Sequence, residues 1–520
     1  MNQTQAVQPS ALPATRAWSN RILIAALAGI LFLTLYPFEF SLHTKLAPGA
    51  SPFFLGKTDK GGGVLDVVLN ISLFMPFGFA LAAKLRGKGK SWPAAFFSTW
   101  IAGAALSYCI EFLQIYIPAR DSGWEDVFTN STGAATGFLA FELCGNATSK
   151  LLSAWEQRAD AWLTLRRAAV ILFAYFAACT LYSIPLQNQT HLGNWSPDCF
   201  LVFGNDATGR HAWRGKLARA EIWDRDLGTG LAEQLTRDKE PGSDADGALA
   251  KFDFSSVPPN QDTAKLFVPL SPEVISAQQP NGTHAPRDAV PSITSAQPVA
   301  NLIGELQRTN QFSLRVVFEP ADIADSDGRI VSISEPSGLS DLYLRQENAS
   351  LVFWFRNRIS IERPALAWTI SNLLAPGHSR DLLFSYDGSD LHLYVDGRKL
   401  QDRYLGPGAA FAEQFRRVKQ SELNGYKDIY YAVVFLPIGW LLGIAAGKTP
   451  WLRLPLLIPF SLSLPLGPLI LECVLSRISG RSFSVANFTL SVGMVLAGIF
   501  WINSDGLPAH REDPGHYLRP

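Results

Sequence analysis

Seven polar residues have the types and spacing to hold a ligand within otherwise apolar sequence. They are acids, amides and one guanidinium: Asp66, Asn70, Glu111, Gln114, Arg120, Asp126 and Asn130. Each acid in this set is followed by an amide three or four residues later, so each such pair shares one face of a helix. These side chains could bind a polar headgroup. An enzyme could instead use Glu111 or Asp126 as general base and Arg120 to bind a phosphate.

The elements that position these residues are predicted membrane spans. A hydrocarbon core about 30 Å thick requires roughly 20 apolar residues per helix. Eight stretches are of about this length: Ile22–Phe38, Val64–Ala83, Trp92–Tyr116, Val127–Cys144, Ala168–Ile184, Ile429–Ala446, Leu454–Leu475 and Val485–Ile502. An ionisable residue in a span is costly unless it is paired or lines a wet cavity, which favours a functional site. The structural alternative is that Asp126 caps the fourth span and Arg120 neutralises Asp66 or Glu111.

Basic residues in three connections predict the orientation of the spans. They are Lys84, Arg86, Lys88 and Lys90, then Arg158, Arg166 and Arg167, and finally Lys448 and Arg453. These connections are expected on the cytoplasmic side, with both termini. The charged middle of the chain, Leu186–Lys427, would then be extracytoplasmic. We expect a multi-pass protein of the bacterial inner membrane, with the first span retained as an anchor.

The two apolar flanks are related by an offset of 361 residues. At this offset Phe74-Met-Pro-Phe-Gly78 aligns with Phe435-Leu-Pro-Ile-Gly439, Glu111 with Glu472, and Arg120 with Arg481. Thr180-Leu-Tyr182 of the fifth span also repeats Thr34-Leu-Tyr36 of the first. Two parallel four-helix repeats explain these matches, and parallel repeats occur in membrane proteins; chance is the alternative. Leu475 and Tyr431 replace Gln114 and Asn70 in the second repeat, so the site is expected in the first.

The polar positions resemble one membrane protein family. Asp66-x3-Asn70-x3-Phe74-x-Pro76-x-Gly78, Ser107-x3-Glu111-x2-Gln114, Pro118-x-Arg120 and Asp126-x3-Asn130-x2-Gly133 resemble the VanZ family over about Arg16–Cys144. The resemblance implies a membrane and cell-envelope setting but no particular reaction. The segment Lys427–Ile502 is similar to a degraded second copy.

The middle of the chain is predicted to be an all-β sandwich. Strand-like runs lie at Phe200–Phe203, Ala218–Trp223, Phe312–Phe318, Arg329–Ile333, Ser350–Phe355, Asp381–Tyr386 and Asp390–Val395. Pro258–Pro298 is expected to be a long loop. The phrases Leu383–Gly388 and Leu391–Gly397 resemble the central strands of laminin G-like and concanavalin A-like domains. Trp213–Leu227 resembles their closing strand but precedes the others, which suggests a circular permutation. Such domains bind glycans or proteins, sometimes through calcium.

The sequence therefore predicts a multi-domain α-helical integral membrane protein with an inserted all-β jelly-roll sandwich. The expected divisions are a cytoplasmic N-terminus (1–19), a VanZ-like unit (20–145), a cytoplasmic loop with the fifth span (146–185), the sandwich (186–408), an amphipathic collar helix (409–427), a degenerate VanZ-like unit (428–503) and a cytoplasmic tail (504–520). In the collar helix, Phe411, Phe415 and Val418 would face the membrane surface.

Three functions are compatible with these features. The first is a non-catalytic envelope protein that binds a lipid-linked component at the membrane site and a polysaccharide or peptidoglycan at the sandwich. The second is a membrane enzyme acting on a glycolipid or phospholipid headgroup. The third is a small-solute transporter, which the position of the polar residues near the outer helix ends disfavours. Lys+Arg and Asp+Glu both total 45, so no net charge attracts nucleic acid. Histidines and cysteines show no metal-ligand spacing, and no cofactor other than possible calcium in the sandwich is expected.

Overall fold

The computed structural model divides the chain into two compact units. Its described residues are 13–36, 40, 64–117, 120, 122–237, 247–255, 264–273, 292–324, 327–359, 367–414, 423–447 and 457–503. The first unit comprises Met1–Phe176, Ala432–Pro465 and Ser491–Pro520. The second comprises Ala177–Tyr431 and Leu466–Leu490. The β-strands all belong to the second unit, whereas long helices contribute to both.

Long helices form the apolar flanks of the chain. The helices are α1 Pro13–Leu35, α2 Val64–Gly87, α3 Trp92–Gln114, α4 Trp124–Trp162, α5 Leu165–Asn188, α6 Gly228–Arg237, α7 Ala300–Thr309, α8 Pro407–Glu413, α9 Leu423–Gly447, α10 Leu457–Ser479 and α11 Val485–Asn503. In the described part of the chain, six of them contain a segment long and apolar enough to cross a membrane: Trp18–Leu35, Asp66–Gly87, Trp92–Gln114, Arg166–Asn188, Leu423–Ala446 and Val485–Ile502. We call α1–α4 the first helix set, and α5 with α9–α11 the second helix set.

The expected count of eight spans is therefore wrong; α4 and α10 are not among the six. The fourth span was expected to end at Cys144, but α4 continues to Trp162 as one helix. No proline interrupts this stretch, so the helix persists after the apolar sequence ends. The early turns of α4 are polar: the Ser131 and Thr132 hydroxyls donate to the carbonyl of Phe128. These residues lower the hydropathy of α4 without breaking it.

The middle of the chain folds into two antiparallel sheets within the described residues. The strands are β1 Phe200–Phe203, β2 Gly215–Trp223, β3 Ala250–Asp253, β4 Leu270–Glu273, β5 Ser292–Ser295, β6 Phe312–Pro320, β7 Arg329–Ser334, β8 Ser340–Glu347, β9 Ser350–Phe355, β10 Trp368–Ile370, β11 Arg380–Tyr386, β12 Asp390–Val395 and β13 Arg398–Tyr404. One sheet has the order β10-β9-β8-β7-β1-β5-β4, and the other β13-β12-β11-β6-β2-β3. Phe353 of the first sheet stacks on Phe384 of the second with ring centroids 3.9 Å apart. The expected antiparallel β structure of this region is confirmed as two sheets, but the region is not all-β, because α6 and α7 lie between its strands.

One expectation about this region is wrong. Pro258–Pro298 is not one loop, because it contains β4 and β5, which pair with Leu270 opposite Ser295. Pro272 fits within β4 because β4 is an edge strand, where a missing N–H is tolerated. The collar helix expected over 409–427 is described only at its two ends, where α8 ends at Glu413 and α9 begins at Leu423. Phe415 and Val418 lie outside the described residues.

Close contact between α2 and α4 positions the polar residues of the first helix set. A Cβ added at Gly78 would lie 2.0 Å from the backbone oxygen of Ala134. A Cβ added at Gly137 would lie 2.1 Å from the backbone oxygen of Met75. Real Cβ atoms do not approach an oxygen this closely, so only glycine permits the two backbones to touch. This contact holds Asn70 of α2 against the first turns of α4.

Candidate functional site

The centre of the candidate site is one buried face of α3. Ser107, Glu111 and Gln114 are spaced by four and three residues, and all three are buried. Asn130 of α4 faces them and donates from Nδ2 to the Ser107 hydroxyl oxygen at 2.9 Å. Three of the predicted residues, Glu111, Gln114 and Asn130, are thus brought together. Ser107 belongs to the VanZ-like pattern but is not among the seven candidate residues. Its position one helical turn before Glu111 is the feature of the sequence that places it on the same face.

Glu111 is a buried carboxylate with one hydrogen-bond partner among the described residues. Its side chain is 2% exposed, and its Oε2 accepts the backbone N–H of Gly123 at 2.9 Å, just before α4 begins. Among the described residues, no lysine, arginine or histidine forms an ion pair with it. Asp126 lies close enough to interact with it electrostatically, which adds further negative charge. A buried carboxylate in such surroundings strongly favours a cation or hydrogen-bond donors.

Two buried amide oxygens near this face of α3 have no hydrogen-bond partner among the described residues. They are Oε1 of Gln114 and Oδ1 of Asn130, whose residues are 7% and 3% exposed. The Gln114 amide nitrogen donates to the carbonyl of Thr34 at 2.8 Å. Because a carbonyl oxygen can only accept, this bond fixes which end of the Gln114 amide remains unpaired. Buried polar atoms are nearly always hydrogen-bonded, so these two oxygens mark a place for donors.

The outer acids form a separate, more exposed group. Asn70 donates from Nδ2 to Asp126 Oδ1 at 2.7 Å and lies 3.3 Å from the hydroxyl of Thr129. Asp66, one turn before Asn70, is exposed and lies within electrostatic range of Asp126. The structure therefore joins Asn70 to Asp126, whereas helix spacing had paired Asn70 with Asp66 and Asp126 with Asn130. Thr129 was not identified from the sequence, since one threonine in a helix carries no distinctive signal.

Arg120 binds the C-terminal end of α1. Its Nε donates to the carbonyl of Tyr36 at 2.7 Å, and its Nη2 to the carbonyl of Leu33 at 2.8 Å. The last carbonyls of a helix lack partners within the helix, and a cation there interacts favourably with the helix dipole. Together with Gln114, Arg120 fixes the last turn of α1. It therefore positions α1, and it does not pair with Glu111.

The second helix set repeats several of these contacts 361 residues later. A Cβ at Gly439 would lie 2.0 Å from the backbone oxygen of Val495, as one at Gly78 would from that of Ala134. Glu472, the counterpart of Glu111, accepts the backbone N–H of Ser484, the counterpart of Gly123, at 2.9 Å. One contact differs. Arg481, the counterpart of Arg120, forms an ion pair with Glu472 at 2.6 Å.

With this geometry described, the chain can be compared with known families. Residues 7–145 match the VanZ/LLP1 family model. The VanZ-like segment includes all seven candidate residues and ends before α5. No curated protein and no solved structure matches the chain. The VanZ-like segment and the apolar helices identify a multi-pass membrane protein, and the family places it in a cell-envelope context.

The sandwich carries a polar surface of its own on the seven-stranded sheet. Tyr343 of β8 and Trp354 of β9 are directly opposite and stack with centroids 5.3 Å apart. The guanidinium of Arg329 lies 4.8 Å from the Tyr343 ring centroid. Both aromatic residues are half-buried.

Asp206 lies next to this surface, and its Oδ2 forms an ion pair with Nη1 of Arg329 at 3.3 Å. Burial alone would raise its pKa, but hydrogen bonds from His211 and Thr208 and the charge of Arg329 lower the pKa to about 2. Within the described residues, no group of three or more His, Cys, Asp or Glu side chains could hold a metal ion.

Proposed function

We propose that this is a non-catalytic cell-envelope membrane protein whose VanZ-like segment binds the polar headgroup of a lipid-linked envelope component. Glu111 carries the proposal: it is a buried carboxylate with no cationic partner among the described residues. An uncompensated charge in a low-dielectric site is expensive, typically by several kcal/mol. A ligand that supplies donors to Glu111 offsets this cost, which gives a physical reason for binding.

The ligand is expected to be a donor of hydrogen bonds. Glu111 and the unpaired oxygens of Gln114 and Asn130 are all acceptors. The guanidinium of Arg120, which could have bound a phosphate, is directed to the end of α1 instead. Hydroxyl or amine groups of a headgroup therefore suit this site better than a phosphate does.

The two helix sets are proposed to be copies of one four-helix unit, the second of them degenerate. The supporting observations are the shared glycine contacts and the shared bond from a backbone N–H to a buried glutamate. In the second set Leu475 stands where Gln114 stands in the first. Because Arg481 already neutralises Glu472, headgroup binding is assigned to the first set alone.

The sandwich is proposed to be a laminin G-like, lectin-like jelly roll that lies outside the cytoplasm and binds a polysaccharide. The stacked pair Tyr343 and Trp354 supports this proposal, since rigid aromatic faces contact a sugar ring at little entropic cost. Arg329 and Arg345 border the pair and can donate hydrogen bonds to hydroxyl groups. Replacing Trp354 by alanine should weaken binding to isolated cell-wall polysaccharide without unfolding the domain.

Extraction of the purified full chain tests the headgroup proposal. Lipids and glycans that co-purify are identified by mass spectrometry for the natural protein and for Glu111→Gln. We expect a lipid-linked component with the natural protein and its loss with Glu111→Gln, because glutamine keeps the bond to Gly123 but removes the charge. The double variant Glu472→Gln with Arg481→Met, which removes the matching buried pair without leaving an unpaired charge, is the matched control and should retain the component. Equal recovery from all three proteins would contradict the proposal.

A further inference from the structure

The second helix set contains its own cation beside the buried glutamate. Arg481 Nη1 lies 2.6 Å from Glu472 Oε1, the same oxygen that accepts the N–H of Ser484. Glu472 and Arg481 are both almost completely buried, each side chain being 2% exposed. The molecule thus shows which chemical group occupies the space next to this carboxylate: a planar, donor-only cation.

The matching arginine of the first set is used elsewhere for a structural reason. Helix α1 ends at Leu35, so the carbonyls of its last turn need external donors, and Arg120 provides them. Helix α5 does not end at the corresponding point. It continues past Tyr182, the counterpart of Tyr36, as far as Asn188. The equivalent carbonyls of α5 are bonded within the helix, so Arg481 is left to pair with Glu472.

We propose that Glu111 binds a primary ammonium group of the lipid-linked headgroup, in the place that the guanidinium of Arg481 takes in the second set. The inference rests on the proposed function, because it names the ligand group for the same site. It requires a cation that the first set does not itself supply among its described residues.

The number of donors and acceptors agrees with this assignment. An ammonium group has three N–H donors and no acceptor. The site offers three acceptor groups: the carboxylate of Glu111, Oε1 of Gln114 and Oδ1 of Asn130. Gln114 lies one turn from Glu111 on the same face of α3, and Asn130 bonds to Ser107 one turn away on the other side. A phosphate would instead meet only acceptors and the negative charge of Asp126.

Native mass spectrometry of the full chain in lipid nanodiscs tests the inference. The discs contain phosphatidylcholine with a small fraction of phosphatidylethanolamine, which carries a primary ammonium, or of phosphatidylglycerol, which carries hydroxyls. We expect the natural protein to bind phosphatidylethanolamine at least tenfold more tightly than phosphatidylglycerol. Glu111→Gln should abolish this preference, whereas the double variant Glu472→Gln with Arg481→Met should leave it unchanged.

The outcomes separate the inference from the proposed function. Binding of both lipids with equal, Glu111-dependent affinity would retain headgroup binding and overturn the ammonium assignment. Binding of neither lipid, with no co-purifying headgroup, would overturn both. Displacement of phosphatidylethanolamine by soluble glucosamine would identify an amino sugar as the natural source of the ammonium; failure of displacement would identify an aminolipid.

Three lysines provide a further control. Lys45, Lys57 and Lys60 lie outside the described residues, and each carries an ammonium of its own. A variant with all three replaced by glutamine should bind phosphatidylethanolamine as the natural protein does. If only this variant binds the lipid, the ammonium at Glu111 comes from the chain itself, and the inference is overturned.

Discussion

Removal of Arg481 should destabilise the protein much more than removal of its counterpart Arg120. In Arg481→Ala, the carboxylate of Glu472 remains buried at 2% exposure without its cation. Breaking a buried pair in this way typically costs about 3–5 kcal/mol. In Arg120→Ala, two hydrogen bonds to the end of α1 are lost. These bonds come from a charged donor, but Arg120 is partly exposed and water can replace it at the carbonyls, so we count each at about 0.5–1.5 kcal/mol and expect a loss of about 1–3 kcal/mol.

Thermal unfolding of the purified full chain, followed by tryptophan fluorescence, measures the difference. With a shift of about 2 °C per kcal/mol for a large cooperative unit, Arg481→Ala should lower the Tm by about 6–10 °C and Arg120→Ala by about 2–6 °C. The double variant Glu472→Gln with Arg481→Met removes both charges while keeping an acceptor for Ser484. It should recover most of the lost stability, because replacing a whole buried pair is often nearly neutral.

Two results would refute this reasoning. If the double variant melts as low as Arg481→Ala, the uncompensated carboxylate is not the cause of the loss. If Arg120→Ala is the more damaging single change, Arg120 neutralises buried acids of the first set. The candidate site would then be structural, and Glu111 would have no need of a ligand.

Three further predictions concern packing, pH and topology. Gly137→Ala places a Cβ 2.1 Å from a backbone oxygen of α2 and should lower the free energy of unfolding by about 1–3 kcal/mol, measured by thermal unfolding. Gly29→Ala is the control: no atom lies within 4 Å of its new Cβ, so this change should be neutral or stabilising. The pKa of Asp206 is lowered from 3.8 to about 2, so its ionised form should contribute about 2 kcal/mol to the free energy of unfolding above pH 4, and this contribution should be lost as the pH falls to 2. Urea unfolding of Asp206→Asn should not show this pH dependence; the same change of unfolding free energy with pH as in the natural protein would contradict the prediction. Reporter fusions at Gly282 and Gly87 should report opposite sides of the membrane, and a common side would contradict the proposed topology.

Strands with strong local signals could be predicted from the sequence to the residue. Phe200–Phe203, Ser350–Phe355 and Asp390–Val395 match β1, β9 and β12, because β-branched and aromatic residues fill them and turn residues end them. β4 and β5 were missed since they contain serine, threonine and proline. β4 pairs with β5, and β5 also pairs with β1; this pairing overrides their weak strand propensity.

Helix faces could be predicted, but helix ends could not. The spacing of Glu111 and Gln114 placed both on one face of α3, and Asn70 and Asp126 were expected at one depth. The partner of Arg120 depends on where α1 ends; Pro37 favours an end near Leu35, but the expected span continued to Phe38. The extension of α4 to Trp162 was missed because the length of an apolar run indicates how much of a helix lies in the membrane, and a helix can continue beyond that run.

The end of one helix accounts for the different chemistry of the two glutamates. Both helix sets keep the glycine contacts that bring two helices together and the backbone N–H that orients the glutamate. An arginine follows each glutamate by nine residues, so the presence of an arginine does not distinguish the two sites. In the first set Arg120 donates to the carbonyls at the end of α1, so the proposed cation for Glu111 is a ligand. In the second set α5 continues to Asn188, so the equivalent carbonyls are bonded within the helix, and Arg481 forms an ion pair with Glu472. Shortening α5 should therefore release Arg481 from Glu472 and create, in the second set, a carboxylate that needs a cation as Glu111 does.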